Sequence, residues 1–395
     1  FDAWASYSTL ETRVGELLRN VPKDTPVFVL EQYSGGPTVE IYSPNRAKSE
    51  TYLGLEKLPL LPKYNGAYFV VSDDNIQLKS KIELLYPDAE IESFAPPNIN
   101  GKQQKSLANI YFISKRDIKA LMGWDFTCSS DDKSENKPEV ITRVSASGRI
   151  DFTSLSLLQH CIGKLSGALV IQNSGEYSFD LDISAPVVFK VGERSLSLNS
   201  GKHLIKSTLP QGTIPISIKE QNNKATRLDL KVAGINGENL SGSIIFSSRA
   251  YLGGLLTRYM QGANGDTDPS IFTVEQSINR YFHYLPLERP YSIKWSGFIN
   301  LPENGDYQFE LKGVDTVQLT IDGQLIAQHP ERDQPPLRTV YLKSGRVRFE
   351  VFYQALTNYN EVIVNWRVPS WDKLREIDPS YLEIGDIDLY SAEIP

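Results

Sequence analysis

The chain has 395 residues, of which 40% are hydrophobic and 23% are charged, a composition typical of a globular protein with roughly two to four domains. Its formal net charge of −7 provides no basic field, which excludes nucleic acid and anionic lipid surfaces as expected partners. No run of about 18 apolar residues occurs, so we expect none of these residues to span a membrane. The first residue is Phe1 rather than Met, which indicates a processed form or a piece excised from a longer protein.

The first 123 residues show patterns typical of alternating helices and strands. Leu10, Val14 and Leu18 fall on one apolar stripe of a predicted helix. The predicted elements are, in chain order, a helix over 8–20, strands over 26–30, 39–42 and 67–71, a helix capped by 72–74 that ends at 85, strands over 89–94 and 109–113, and a helix over 115–121. Because strands alternate with helices, we expect a small α/β three-layer domain with a largely parallel sheet.

Asp73 and Asp74 are the candidate ligand-binding residues of this domain. They follow a predicted strand, at the carboxyl end where α/β sheets bind ligands. They also precede a predicted helix, where acids stabilise the helix dipole, and this capping role alone accounts for both. The Gly35-Gly36 turn after the first strand lacks the glycine spacing of a dinucleotide-binding loop, so it predicts a plain turn.

A polar, charged stretch without periodicity follows and predicts a linker over 124–138. The chain has two cysteines, Cys128 and Cys161, whose spacing fits neither a metal site nor a redox pair. A disulfide in an oxidising compartment and two free thiols both remain open at this point.

Two copies of one strand pattern occupy the rest of the chain. In the later copy, over 291–323, Tyr307 and Phe309 alternate with polar residues after a Pro-Glu-Asn-Gly turn. Tyr177 and Phe179 occupy the matching positions of a fainter copy about 130 residues earlier. Period-two alternation between turn residues indicates half-buried antiparallel strands, and repeats of this length indicate tandem globular domains rather than a solenoid.

The predicted fold is therefore α+β multidomain, with the α/β layer domain followed by two tandem antiparallel β-sandwich domains of jelly-roll-like character. The predicted boundaries are 1–123 for the α/β domain, 124–138 for the linker, 139–248 and 249–384 for the two sandwiches, and 385–395 for a tail.

Six blocks of the later copy stand in a recognisable order, at 254–259, 295–299, 305–309, 321–323, 342–345 and 366–369. They resemble the PA14 domain, a β-sandwich named from the protective antigen of a bacterial toxin and found in glycosidases, glycosyltransferases and cell-wall adhesins. The earlier copy is similar to a degenerate relative, because it keeps the Gly-x-Tyr-x-Phe block and lacks the tryptophans. The resemblance implies a β-sandwich fold and a carbohydrate ligand.

The resemblance also implies a calcium ion held by paired aspartates after the Gly-x-Tyr-x-Phe strand, with a sugar chelated on the ion. This sequence has Lys312-Gly313-Val314-Asp315 at that place, so Asp315 is the single candidate carboxylate and Lys312 opposes a cation. The earlier copy has no acid there. No cofactor is therefore expected, and Asp315 would be the ligand if calcium binds.

Four segments of the N-terminal part stand in a recognisable order: the aromatic start at 1–5, the strand at 26–30, the strand at 67–71 and the Tyr-Pro turn into a strand at 86–94. This layout resembles the soluble region after the last membrane helix of some large membrane glycosyltransferases that use lipid-linked sugar donors. This resemblance implies that Phe1 lies just outside the membrane and that the active site belongs to a membrane region outside this sequence.

We expect no catalytic residues in this chain. His160, His203, His283 and His329 are scattered without the spacing of a metal site or triad, and neither G-x-S-x-G nor H-E-x-x-H occurs. Trp371 follows a Pro-Ser pair in a predicted loop, which favours it as a surface aromatic that stacks on a sugar.

The sequence thus predicts a non-catalytic, extracytoplasmic accessory region of a membrane glycosyltransferase in a bacterial cell envelope. It would recognise or position a glycan or cell-wall polysaccharide, with its own membrane-embedded domain as the second partner. A free-standing secreted or surface adhesin that binds carbohydrate is one alternative. A structural spacer whose sandwiches mediate protein contacts is the other.

Overall fold

A computed structural model gives the architecture, and the contacts within it divide the chain into two units, Phe1–Leu121 and Met122–Pro395. The residues that the structure describes are 2–22, 24–30, 37–43, 50–52, 58–73, 75–95, 106–130, 142–146, 148–155, 161–192, 194–222, 226–234, 236–251, 253–281, 285–329, 337–357 and 361–384.

The first unit alternates helices with short strands, as the sequence predicts. Its elements are α1 Asp2–Asn20, β1 Val27–Leu30, α2 Pro37–Tyr42, β2 Glu50–Tyr52, β3 Gly66–Ser72, α3 Ile76–Leu85, β4 Glu90–Phe94, β5 Ala108–Ser114 and α4 Lys115–Ala120. The strands form one sheet in the order β2-β1-β3-β5-β4.

That sheet is mixed, so the prediction of a largely parallel sheet is confirmed for β2, β1 and β3 and not for the pairings of β5. β1 runs parallel to β2 and β3, whereas β5 runs antiparallel to both β3 and β4. The helical crossover α3 does bring β4 back in the direction of β3, as crossovers of that kind do. The later strand β5 then inserts between the two in the opposite direction.

The predicted strand over 39–42 was also wrong, because these residues belong to helix α2. Pro37 occupies the first helical position, where its fixed φ is favourable. Val39 is 4% exposed and packs in the same apolar cluster as Leu10 and Val14 of α1. The two helices approach closely at Gly15, where a Cβ atom would lie 2.6 Å from Tyr42 Cβ. Tertiary packing therefore overrides the strand preference of the β-branched residues.

Helix α3 carries a lysine amine in its buried face. Lys81 is 4% exposed, and burial lowers the pKa of its amine to about 8. An unfolded lysine has a pKa of about 10.4, so between these values the unfolded chain binds more protons than the folded chain. The free energy of unfolding of this unit therefore rises with pH through that window.

We expect the first unit to gain about 2 kcal/mol of stability between about pH 7.5 and about pH 9.5, and the Lys81→Met variant to lose this gain. The measurement is urea unfolding at both pH values, followed by a pulse of hydrogen exchange at one fixed pH and mass spectrometry of peptides from α3. If the free energy of unfolding rises equally with pH in the wild type and in the Lys81→Met variant, the assignment to Lys81 is contradicted.

The second unit consists almost wholly of strands. Its elements are β6 Trp124–Ser130, β7 Thr142–Val144, β8 Arg149–Asp151, α5 Phe152–Leu155, β9 Cys161–Ile171, β10 Gly175–Ile183, β11 Val187–Val191, β12 Arg194–Leu198, β13 Gly201–Leu209, β14 Gly212–Glu220, β15 Arg227–Ala233, α6 Ser241–Ile244, β16 Ile245–Ser247, β17 Leu255–Gln261, β18 Pro269–Glu275, β19 Arg280–Tyr281, β20 Tyr291–Leu301, β21 Gly305–Gly313, β22 Val317–Ile321, β23 Gln324–His329, β24 Leu337–Leu342, β25 Gly345–Ala355, β26 Glu361–Arg367, β27 Arg375–Glu376 and β28 Leu382–Glu383. Among the helices that the structure describes in either unit, none is long and apolar enough to cross a membrane.

These strands build two β-sandwiches in tandem, which confirms the predicted fold class. The first pairs a sheet of order β13-β10-β15-β8 with a sheet of order β12-β11-β14-β9-β6-β7. The second pairs β18-β17-β20-β25-β22-β23 with β19-β26-β21-β24. The two copies of the sequence pattern are β10 and β21, and in both strands the alternating aromatic residues Tyr177, Phe179, Tyr307 and Phe309 are buried.

The predicted linker over 124–138 was wrong over its first half, because residues 124–130 form β6, which pairs with β9. Trp124 and Phe126 are buried in the core of the first sandwich. The structure gives Cys128 as disulfide-bonded, and no described cysteine is free. The second half of the predicted linker lies outside the described residues.

The two sandwiches share part of one core. Leu256, Phe272 and Val274 of the second sandwich belong to the apolar cluster that fills the first. The backbone N–H of Phe272 donates a hydrogen bond to Gln211 O at 2.9 Å. The two sandwiches are thus packed directly against each other.

Candidate functional site

Asp315 lies in the turn between β21 and β22, and its side chain faces inward. The residue is 7% exposed. Its Oδ2 accepts hydrogen bonds from Leu356 N at 2.8 Å, Thr357 N at 3.0 Å and Thr357 Oγ1 at 3.2 Å. The carboxylate therefore holds the chain after β25 in place, which is a structural use of the one acid that remains at this position.

The residues around Asp315 do not fit a calcium ion. Lys312 Nζ lies 2.9 Å from Glu310 Oε1, so the nearest acid on β21 already has a cationic partner. The exposed residue of the turn is Val314, whose side chain offers no oxygen. Within the described ranges, no group of three or more His, Cys, Asp or Glu side chains could hold a metal. Calcium prefers six to eight oxygen ligands, which this turn does not supply.

We expect calcium to leave the stability of the protein unchanged. A ligand that binds the folded state raises the melting temperature by mass action, and the Asp315 turn offers calcium no such site. The measurement compares melting temperatures in millimolar calcium and in excess chelator. A rise of several degrees with calcium, absent with magnesium, would contradict this prediction.

Trp371 is half-buried and extends an aromatic cluster of the second sandwich. Its ring centroid lies 5.7 Å from that of Trp366 and 6.4 Å from that of Tyr381, both in edge-on contact. The Arg375 guanidinium lies 4.8 Å from the ring centroid. Trp371 thus contributes to packing, and its predicted role in stacking on a sugar stays a prediction.

Asp73 lies at the end of β3 within a polar network. Its Oδ1 accepts hydrogen bonds from Asn109 Nδ2 at 3.2 Å and from Lys79 Nζ at 3.3 Å. Asn109 Oδ1 in turn accepts one from Ser93 Oγ at 2.7 Å. The network links β3, β5 and β4. The predicted capping role of Asp73 was wrong, because the side chain of Asn75 caps α3 by accepting from Leu78 N.

The remaining candidate, Asp74, lies outside the described residues. Asp315 and Trp371 belong to the second unit, and Asp73 belongs to the first. A ligand role for each of them remains a prediction.

The sequence did not single out the outer face of the sheet that contains β24, β21 and β26. In register, Gln308 of β21 lies between Thr339 of β24 and Arg367 of β26, and Asp306 lies beside Tyr341. The alternation of β21 predicts that Asp306 and Gln308 point away from the core. It does not reveal which outward side chains lack a partner.

Comparison with known proteins identifies part of the second sandwich. Residues 253–380 match the family model of the PA14 domain. A PA14 domain is therefore present in this part of the chain, as the six sequence blocks predicted. No curated protein matches the chain.

Solved structures that match parts of this chain include three examples. One is an anti-sigma factor domain-containing protein from Clostridium clariflavum, with 18% identity, 67% of this chain and 99% of that chain covered, and a TM-score of 0.30. Another is a PA14 sugar-binding domain from an RTX adhesin, with 15% identity, coverage of 34% and 99%, and a TM-score of 0.28. A third is the PA14 domain of the MpAFP antifreeze protein, with 13% identity, coverage of 33% and 90%, and a TM-score of 0.28.

Proposed function

We propose that this chain is a non-catalytic glycan-recognition region of an extracytoplasmic protein and that its second sandwich makes the contact with the glycan. The observation that carries this proposal is the PA14 domain over 253–380. The disulfide at Cys128 supports an oxidising compartment, because disulfides are rare in the cytosol. The recognition does not use calcium, because the turn at Asp315 lacks the oxygen ligands.

The second part of the proposal concerns the longer protein to which this chain would belong. We infer an accessory region of a membrane glycosyltransferase, tethered through a membrane-embedded domain that carries the active site. The support is the order of segments in the first unit, which resembles the soluble region of such enzymes. This region would hold a glycan or cell-wall polysaccharide near the active site.

The glycan proposal is tested by incubating the fluorescently labelled whole chain with a glycan array, with and without a calcium chelator. We expect a restricted set of glycans to bind, with equal signals under both conditions. If no glycan binds, the recognition role fails and the structural spacer becomes the better hypothesis. If binding is lost with chelator, the calcium-independent part of the proposal fails.

The parent protein is tested by sequencing the coding region upstream of Phe1. We expect a long segment of hydrophobic helices. A secretory signal peptide alone would instead favour the free-standing surface adhesin.

A further inference from the structure

The outer face of the sheet that contains β21 and β26 divides into two halves with different hydrogen bonding. In one half the polar side chains satisfy one another. Glu310 Oε2 accepts a hydrogen bond from Asn365 Nδ2 at 3.0 Å, and Glu310 Oε1 lies 2.9 Å from Lys312 Nζ. Asn365 Oδ1 accepts from Asn279 Nδ2 at 3.1 Å. This half is a closed structural network.

The other half, which we call the open row, consists of Asp306, Gln308, Thr339, Tyr341 and Arg367. Cross-strand pairing places Tyr341 beside Asp306, and Gln308 between Thr339 and Arg367. Tyr341 is 63% exposed. Among the described residues, none makes a side-chain hydrogen bond or ion pair with a member of the open row.

Arg367 is the member whose lack of a partner is least expected. Its side chain is half-buried, and its Nε atom is buried without a hydrogen-bond acceptor in the described part of the chain. Burying a donor of a charged group without an acceptor destabilises a fold, and a bound anion that neutralises the guanidinium would offset part of that cost. By contrast, Lys312 on the same face has its carboxylate partner.

We propose that the open row binds a sugar that carries a carboxylate, such as a uronic acid residue of a glycan. This inference rests on the proposed function and names its site and ligand class. The planar guanidinium of Arg367 presents parallel donors that match a carboxylate, which a lysine does not. Gln308, Thr339 and Asp306 supply donors and acceptors for sugar hydroxyls. The Tyr341 ring offers an amphipathic surface for the sugar ring.

The dimensions of the open row suit this ligand. Neighbouring strands lie about 4.8 Å apart, so three strands span about 10 Å, enough for one or two sugar rings. The row lies on regular strands, so its side chains are held by the sheet rather than by a loop. It is also separate from the turn that carries Asp315, because Asp306 and Gln308 lie at the start of β21, whereas that turn follows its end.

The test measures binding of the whole chain to oligosaccharides of glucuronic acid and galacturonic acid, with their carboxyl-reduced forms as neutral probes. We expect wild-type protein to prefer an acidic probe over its reduced form. Arg367→Met should weaken that binding about tenfold or more, and Arg367→Lys should give an intermediate loss. Tyr341→Ala should also weaken it. Lys312→Met is the matched control, because it removes a cation from the closed half of the same face, and its binding should equal that of wild type.

The outcomes separate this inference from the proposed function. If the wild type binds only neutral glycans on the array, or if the Arg367 variants bind acidic probes as well as wild type, the open row is not the site although the recognition role stands. If no glycan binds at all, both fail. Near-ultraviolet circular dichroism checks that each variant is folded, and Tyr341→Ala tests the same site if Arg367→Met does not fold.

Discussion

Replacing Gly212 by alanine should destabilise the second unit by about 3–5 kcal/mol, the sum of backbone strain and overpacking. Gly212 has a φ of +135°. A Cβ atom there would lie 1.9 Å from Phe272 O, a backbone atom that has little room to move. This is the place where β14 of the first sandwich meets β18 of the second. The substitution therefore forces the two sandwiches apart or bends one of them.

Gly201→Ala is the matched control, because Gly201 has a similar φ of +126° but no atom within 4 Å of the position that a Cβ atom would take. It should cost only about 1–2 kcal/mol from backbone strain. Urea unfolding followed by tryptophan fluorescence measures both variants. The difference between them reports the contact between the sandwiches, and equal losses would contradict the inference that this contact matters.

The shared core also predicts how the second unit unfolds. Because Phe272 packs in the core of the first sandwich, the wild-type unit should unfold in a single transition. The Gly212→Ala variant should separate this into two transitions, one for each sandwich. A wild-type unit that already unfolds in two steps would contradict the coupling.

Much of this fold could be predicted because strand patterns in the sandwiches are local. In β21, Tyr307 and Phe309 are buried and their neighbours are not, as the period-two alternation indicates. The same signal failed at 39–42, because packing of Val39 against α1 decides the structure there. It also failed at 124–130. The polar residues that follow led to the prediction of a linker there, although these residues form a strand with Trp124 and Phe126 buried.

The candidate site was harder to predict for a different reason. The order of the sequence blocks predicts that Asp315 follows β21, but the donors to its carboxylate are 41 and 42 residues further along the chain. Likewise, Arg367 follows Trp366 in one of the six blocks. Its Nε atom has no acceptor among the described residues, and the sequence of β26 alone does not show this, because the side chains around Arg367 come from neighbouring strands such as β21. Residue type is visible in a sequence, whereas satisfaction of hydrogen bonds is a property of the folded sheet.

Replacing Asp315 by alanine should lower the free energy of unfolding of the second unit by about 2–3 kcal/mol while leaving glycan binding unchanged. The variant removes the acceptor for the N–H groups of Leu356 and Thr357 and for the Thr357 hydroxyl. Asp315→Asn keeps one acceptor oxygen and should lose about half as much. Urea unfolding and titration with the best glycan of the array measure the two effects in one preparation.

Asp306→Ala is the opposing control, because Asp306 is exposed and belongs to the open row. It should change stability by no more than about 0.5 kcal/mol, as substitutions of exposed residues without partners do. It should weaken glycan binding by about fivefold or more, through loss of an acceptor for a sugar hydroxyl. Asp306 belongs to β21 and Asp315 follows it. The two variants would then show that Asp315 contributes to stability and Asp306 to glycan binding. If Asp315→Ala instead keeps its stability and loses glycan binding, Asp315 contacts the ligand, and the sheet face with Arg367 is not where recognition occurs.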